Sequence, residues 1–219
     1  MRRKRYAIEN YNKNEALKDA TKYFVIYEGK KEPRYFEAFN VSFLDEKSAY
    51  VHHILEESNG VVGNTPLKLK ERAKAFIDNP PKSLRITPSV DDRFRFVLDV
   101  DRHPRDHIEE LKTYCEALVD GDLFISNFCF EVWLWSHIND LVEIRSTKSK
   151  EMKTELGDAK PMNFPQDFMK KDLIISAIQR CKDADINKSN YFPVEKSSKV
   201  YLLIEELMKH SFLNLDVEE

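Results

Sequence analysis

Apolar residues fall along this chain in short blocks, and the blocks alternate between two periods. Lys22 to Tyr27 is a continuous run of β-forming residues. It predicts a strand buried on both faces. "RFRFVLDVD" predicts another such strand over 94–98 and "DLFISN" a third over 122–126, while "KSAYVHHILEES" reads as a further strand. Between the strands the apolar positions take helical spacing. Over 32–40 they place Tyr35, Phe36 and Phe39 on one side. "GNTPLKLKERAKAFID" predicts a helix capped by Asn64 or Thr65, with Pro66 in its first turn and Leu67, Leu69, Ala73, Phe76 and Ile77 on its apolar side. "NPPKSLRITPSVDD" reads as a loop. "PRDHIEELKTYCEALVDG" is a helix opened by Pro104 and closed near Gly121, and "FCFEVWLWSHIND" is a helix after the third strand. Beyond residue 145 the pattern turns helical, with "PQDFMKKDLIISAIQRCKDAD" and "SSKVYLLIEELMKHS" both amphipathic. Strands alternating with helices predict an α/β fold, a mostly parallel sheet flanked by helices. The chain divides into a basic N-terminal arm over 1–20, an α/β core over 21–145 and a helical C-terminal part over 146–219 packed on that core.

Composition narrows the picture. The 219 residues are 42% hydrophobic and 33% charged, with only 5 Gly and 9 Pro, which suits one folded body without long linkers. A net charge of −3 means that any contact with nucleic acid must come from a local patch. Cys115, Cys129 and Cys181 are odd in number and share no metal-like spacing, as expected of buried thiols in a reducing, cytoplasmic setting. "MRRKRYAIENYNKNEA" is basic but has no apolar core behind it, so it is not a secretory signal. No apolar run approaches the ~20 residues of a membrane span.

The chemistry lies where the strands end. In an open parallel sheet the working groups sit just beyond the carboxyl ends of the strands. The first strand ends at Glu28, the 94–98 strand at Asp99 and Asp101, and the 122–126 strand at Ser126 and Asn127, with Glu131 in the first turn of the next helix. Asp99 and Asp101 are two apart on extended chain, so both carboxylates point to one face. Glu28, Asp99 and Asp101 together cannot stay ionised and dry unless a cation sits among them. Hard oxygen donors beside open space suit Mg²⁺ or Mn²⁺, which activates water and holds a phosphoryl oxygen. Gly29 lets the backbone turn tightly, and Lys30 and Lys31 supply cations for phosphate. Against this stand plainer readings: "GKK" as a solvated turn, Glu131 as an acid complementing a helix dipole, Trp133 and Trp135 as core, and His137 as a core histidine. A zinc pair of His103 and His107 is disfavoured because His103 precedes Pro104.

"YEGKKEPRYFEAF", "FVLDVDRH" and "FISNFCFEVWLWSHI" resemble, in order and rough spacing, the motifs of the RloB-like family. "SAIQRCKDAD" and "SSKVYLLIEEL" sit where that family has similar segments, so the resemblance runs from about Tyr23 to Leu207. It implies a Toprim-like, Rossmann-like fold and metal-dependent action on phosphodiesters in bacterial phage defence or abortive infection, beside a partner ATPase of the ABC or AAA type. By position, Glu28 is the first-strand acid, a general base or metal ligand, and Asp99 and Asp101 are the metal pair. Glu131 is a further ligand or orienting acid. Lys30, Lys31, Arg102 and His103 contact the phosphates of a nucleic acid substrate, DNA or RNA, with tRNA a plausible target. Glu32 and His137 stand in a second tier. The chain departs from the family in two places. Members carry a Thr before the second Glu, whereas here Lys31 runs directly into Glu32. Members also carry Asn-Pro where this chain has Asn127-Phe128. Two rivals remain: a catalytically silent Toprim-like subunit of an ATPase complex, and a haloacid-dehalogenase-like phosphatase built on the D-x-D.

Overall fold

The computed structural model describes residues 19–55, 61–81, 84, 88, 92–100, 103–159 and 162–212. Residues 1–18, with most of the expected basic arm, lie outside this set, as do Asp101 and Arg102. The four apolar runs form strands β1 (Thr21–Tyr27), β2 (Ala49–Ile54), β3 (Arg93–Asp99) and β4 (Asp120–Asn127), close to the expected bounds. They pair in parallel in the order β2-β1-β3-β4, and a two-residue strand β5 (Ser197–Ser198) adds to β4 in antiparallel sense.

Among the described residues seven α-helices flank this sheet: α1 (Lys31–Phe43), α2 (Pro66–Asp78), α3 (Arg105–Ala117), α4 (Phe130–Ser136), α5 (Ser149–Ala159), α6 (Lys171–Ala184) and α7 (Val200–Met208). Helix α2 starts as its sequence dictates: Pro66 fills the first turn and the Thr65 hydroxyl accepts from the Lys68 N–H at 3.3 Å.

Strand alternation makes two cores. Tyr23, Val25 and Tyr27 face Phe36 and Phe39 of α1, with α4, α6 and α7 in the same cluster. Phe24, Ile26, Phe94 and Phe96 face the other way, onto Leu69 and Phe76 of α2 and Ile108 and Leu111 of α3. This division follows from handedness. The chain steps from β1 to β2 in one direction, then reverses and steps through β3 to β4. Right-handed crossovers therefore put α1 on one face and α2 and α3 on the other. The reversal leaves a topological switch point between β1 and β3, where open α/β sheets bind ligands.

The C-terminal helices share a core with β1 and are held to the sheet by a buried ion pair. The Lys199 N–H donates to the Ile125 carbonyl at 2.8 Å, and its ammonium, 2% exposed, donates to both oxygens of Asp185 at 2.6 and 2.5 Å. The Tyr201 hydroxyl donates to the same carboxylate at 2.7 Å. Among the described residues no helix is long and apolar enough to cross a membrane.

Candidate functional site at the carboxyl edge of the sheet

Strand β1 runs out at Tyr27, and Glu28, Gly29 and Lys30 carry the chain to α1 in a three-residue turn. The Glu28 N–H still donates to the Val97 carbonyl at 3.1 Å, which keeps it in register with β3. Its carboxylate crosses the switch point. One oxygen accepts the Asp99 N–H at 2.9 Å, and the other meets His103 Nε2 at 2.7 Å. Glu28 therefore ties the end of β1 to the end of β3 and to the loop that follows it.

Three further acids close on this point. Glu32 lies in the first turn of α1, is 3% exposed, and accepts from its own N–H and that of Lys31. Burial first, then the charges of Glu28 and Glu131, push its carboxyl up to about 7. Gly29 makes room for it: a Cβ there would stand 2.4 Å from Glu32 Oε2. Glu131, in the first turn of α4, is buried and takes the Lys31 ammonium at 2.8 Å. The buried Cys129 thiol donates to Glu131, and burial raises its pKa. Asp99 accepts from the Phe130 N–H. Its other oxygen, Oδ1, is closed off from solvent and has no hydrogen-bond partner among the described residues. Burial, followed by the charges of Glu32, Glu28 and Glu131, holds the Asp99 carboxyl well above the usual carboxylate range.

The sequence-predicted residues divide cleanly. Glu28, Asp99 and Glu131 come together at the expected edge, with Glu32 among them. His103 joins through Glu28. Lys31 meets Glu131, a residue 100 positions away, rather than standing free at the mouth. Lys30 is exposed beside a cavity that Glu28 also lines. Asp101 and Arg102 fall outside the described residues. His107 sits within α3, and His103 turns to Glu28, so the two do not form a pair.

His137 takes the plainer of its two readings. It is 1% exposed, with Nε2 on the Tyr35 hydroxyl at 3.0 Å and Nδ1 on the Trp133 carbonyl at 2.9 Å. Burial lowers its pKa from 6.5 to about 3. An imidazole that stays neutral in the fold but protonates once unfolded gives stability that is complete above about pH 6.5 and lost as pH falls towards 3. Wild type is therefore expected to melt above His137→Phe at pH 8, with the gap shrinking steadily as pH falls below 6.5. Melting curves of both proteins from pH 8 to pH 4 check this. A constant gap would assign His137 no titrating role in stability.

A hard divalent cation can be tested against this donor set. Among the described residues no three of these side chains stand in a coordinating arrangement, and Lys31 and His103 meet Glu131 and Glu28 instead. The chemistry nonetheless suits such a cation: the donors are carboxylate oxygens, crowded by like charge, and one of them is buried without a partner. Glu28, Glu32, Asp99 and Glu131 are the residues that would hold it.

The comparisons with known proteins bear on the same stretch of chain. The sequence model of the family described as "RloB-like protein" matches residues 23–207, a span that includes all four acids. No curated protein and no solved structure matches the chain.

Proposed function

The chain belongs to the RloB-like family, and on that premise we propose that it is a Mg²⁺- or Mn²⁺-dependent nuclease that cleaves phosphodiesters. The observation that carries this reading is the gathering of Glu28, Glu32, Asp99 and Glu131 at the β1–β3 switch point, with Asp99 Oδ1 buried and unpartnered. Carboxylates under mutual repulsion in a drying site are stabilised by a cation of higher charge than Lys or His supplies. A divalent ion bound there would lower the pKa of water and oppose the charge of a phosphate. The protein's own groups supply the rest. Glu28 and His103, 2.7 Å apart, form a pair that can accept a proton. The Lys31 side chain is half-exposed, so its ammonium can leave Glu131 for a phosphate oxygen while the buried Glu131 stays behind. Asp101 and Arg102, next to the site in sequence, complete the proposed set.

The wider setting rests on the family resemblance: a cytoplasmic bacterial defence system against phage, working by abortive infection. There the nuclease would be controlled by an ABC- or AAA-type ATPase, with tRNA or another nucleic acid as its target. One observation favours a second reading. With Lys31 on Glu131 and His103 on Glu28, two of the four acids already have side-chain partners, as suits a silent subunit held by an ATPase.

Incubation of the purified full chain with single-stranded RNA, tRNA and plasmid DNA, in Mg²⁺, Mn²⁺ or chelator, separates the two. Cleavage in metal and none in chelator is expected, with Glu131→Gln slower by about 10²-fold, the scale of lost acid–base or metal-orienting groups. Nucleic acid bound but intact in both metals, with or without the partner ATPase, would support the silent subunit.

A further inference from the structure

A cavity of about 230 Å³ adjoins the acidic cluster at the carboxyl edge of the sheet, between the start of α1 and α2, and Glu28 forms part of its wall. Its rim carries Lys30 and Arg34. Lys30 is in helical conformation just before α1, so the two side chains, four residues apart, rise on one face. Both are exposed, and neither meets a carboxylate among the described residues; the Arg34 guanidinium lies 5.3 Å from the centre of the Phe164 ring.

The inner part of the cavity is built rather than incidental. Arg72 of α2 lines it and is 1% exposed. Its guanidinium donates to the Tyr27 carbonyl at 2.9 Å, the Gly63 carbonyl at 2.8 Å and the Asn64 side-chain oxygen at 3.3 Å. An arginine so buried fixes the end of β1 against the 63–64 loop and brings positive charge to the cavity wall. The remaining wall is mixed: Pro33 and the half-exposed Leu55 give it an apolar part, and the Glu37 carboxylate and Asn64 give it a polar one.

We propose that this cavity binds one nucleotide unit, with its phosphate at Lys30 and Arg34 and its ring against Pro33 and Leu55. Lys30 and Arg34 make no ion pair among the described residues and, with Arg72 behind them, outnumber the Glu28 and Glu37 carboxylates of the lining; a guanidinium matches phosphate oxygens in planar, paired fashion. A free phosphate would leave the apolar wall unused. The volume falls below the ~300–1,000 Å³ of sites for drug-sized ligands, which suits a single nucleotide better than a larger ligand. The cavity shares Glu28 with the cluster, so its occupant lies beside the group that the carboxylates act on. This deepens the nuclease reading and rests on it for the identity of that neighbouring group. Lys30 thereby shares this phosphate with Arg34, while Lys31 stays beside Glu131 for the phosphate at the carboxylate cluster.

Calorimetric titration of the full chain in chelator tests the proposal with adenosine 5′-monophosphate, inorganic phosphate, adenosine and a four-nucleotide RNA. The monophosphate or the RNA is expected to bind, with inorganic phosphate and adenosine at least tenfold weaker. Tighter binding of the RNA would mark a site within a strand, and tighter binding of the monophosphate a site for free nucleotide. Lys30→Ala with Arg34→Ala should cost at least tenfold in affinity with little change in melting temperature, and Lys30→Arg with Arg34→Lys should recover most of it. Failure of wild type to bind either nucleotide ligand, or wild-type affinity in the double alanine variant, would overturn the proposal. Cleavage assays in metal keep the two readings apart. The expected binding without cleavage would sink the nuclease and leave the cavity; cleavage with unchanged binding in the alanine variant would sink the cavity alone.

Discussion

Asp99→Asn is expected to melt at a higher temperature than wild type in metal-free buffer, and to lose the proposed nuclease activity by about 10²-fold or more. The two effects share one cause. Asp99 lies in the midst of Glu28, Glu32 and Glu131, and its carboxyl is held well above its usual range by burial and by their charges. A group whose folded pKa is raised weakens the fold as pH climbs through and above its unfolded value. At pH 7 and above, the acid at this position is thus a cost to the metal-free fold, whether it is held protonated or ionises. Asparagine keeps the shape and an acceptor for the Phe130 N–H while removing the charge. It also puts an NH₂ group, a donor facing carboxylates, in place of a buried oxygen that has no partner among the described residues. Metal-free melting curves and cleavage rates for both proteins provide the check. A variant less stable than wild type, with cleavage intact, would mean that Asp99 serves the fold and not the site.

Asp185→Ala is expected to destabilise the protein by about 3–5 kcal/mol, the cost of leaving one member of a buried ion pair uncompensated. Lys199 is 2% exposed, and its ammonium donates to both Asp185 oxygens and to the Asn187 carbonyl. Removing the carboxylate strands the charge and takes the acceptor from the Tyr201 hydroxyl. Lys199 directly follows β5 and precedes α7, so the damage falls on the attachment of the C-terminal helices to β4. Pairing Asp185→Ala with Lys199→Met should recover much of the loss, because an apolar side chain of similar size carries no charge to strand. Chemical denaturation of the single and double variants measures both. Equal stability of Asp185→Ala and wild type would show the pair to be solvated.

Where local pattern decides structure, the sequence was readable. Tyr23 to Tyr27 and Phe96 to Leu98 are apolar on successive positions because both faces of the sheet are covered, and their carboxyl ends locate Glu28 and Asp99 without further information. Thr65 and Pro66 announce α2 by the chemistry of a helix start. What could not be read depends on distant partners. Strand β5 is two serines with no apolar signature, and it exists because Ser126 and Asn127 offer a free edge. Lys31 reads as an open phosphate contact until Glu131, far along the chain, comes within 2.8 Å. Glu32 enters from the sequence only as a second-tier residue through the family resemblance, and only burial beside Glu28 and Glu131 makes it part of the cluster. Arg72 sits in a helix rich in lysine, so nothing local separates it from a solvated cation. Its carbonyl partners at Tyr27 and Gly63 come from separate segments.

The carboxylate cluster as a cation site can be tested most directly by titrating Mn²⁺ into the full chain by calorimetry at pH 6.5, in two buffers of different ionisation enthalpy. Saturable binding is expected, with release of protons, because Glu32, pushed up to about 7, and Asp99, held well above the usual carboxylate range, must ionise to hold the ion. At a hundredfold excess over the dissociation constant the bound ion should stabilise the fold by about 2.7 kcal/mol. Asp99→Asn should abolish both the heat and the stabilisation. Absence of binding to wild type, or identical heats and proton release from Asp99→Asn, would contradict the account.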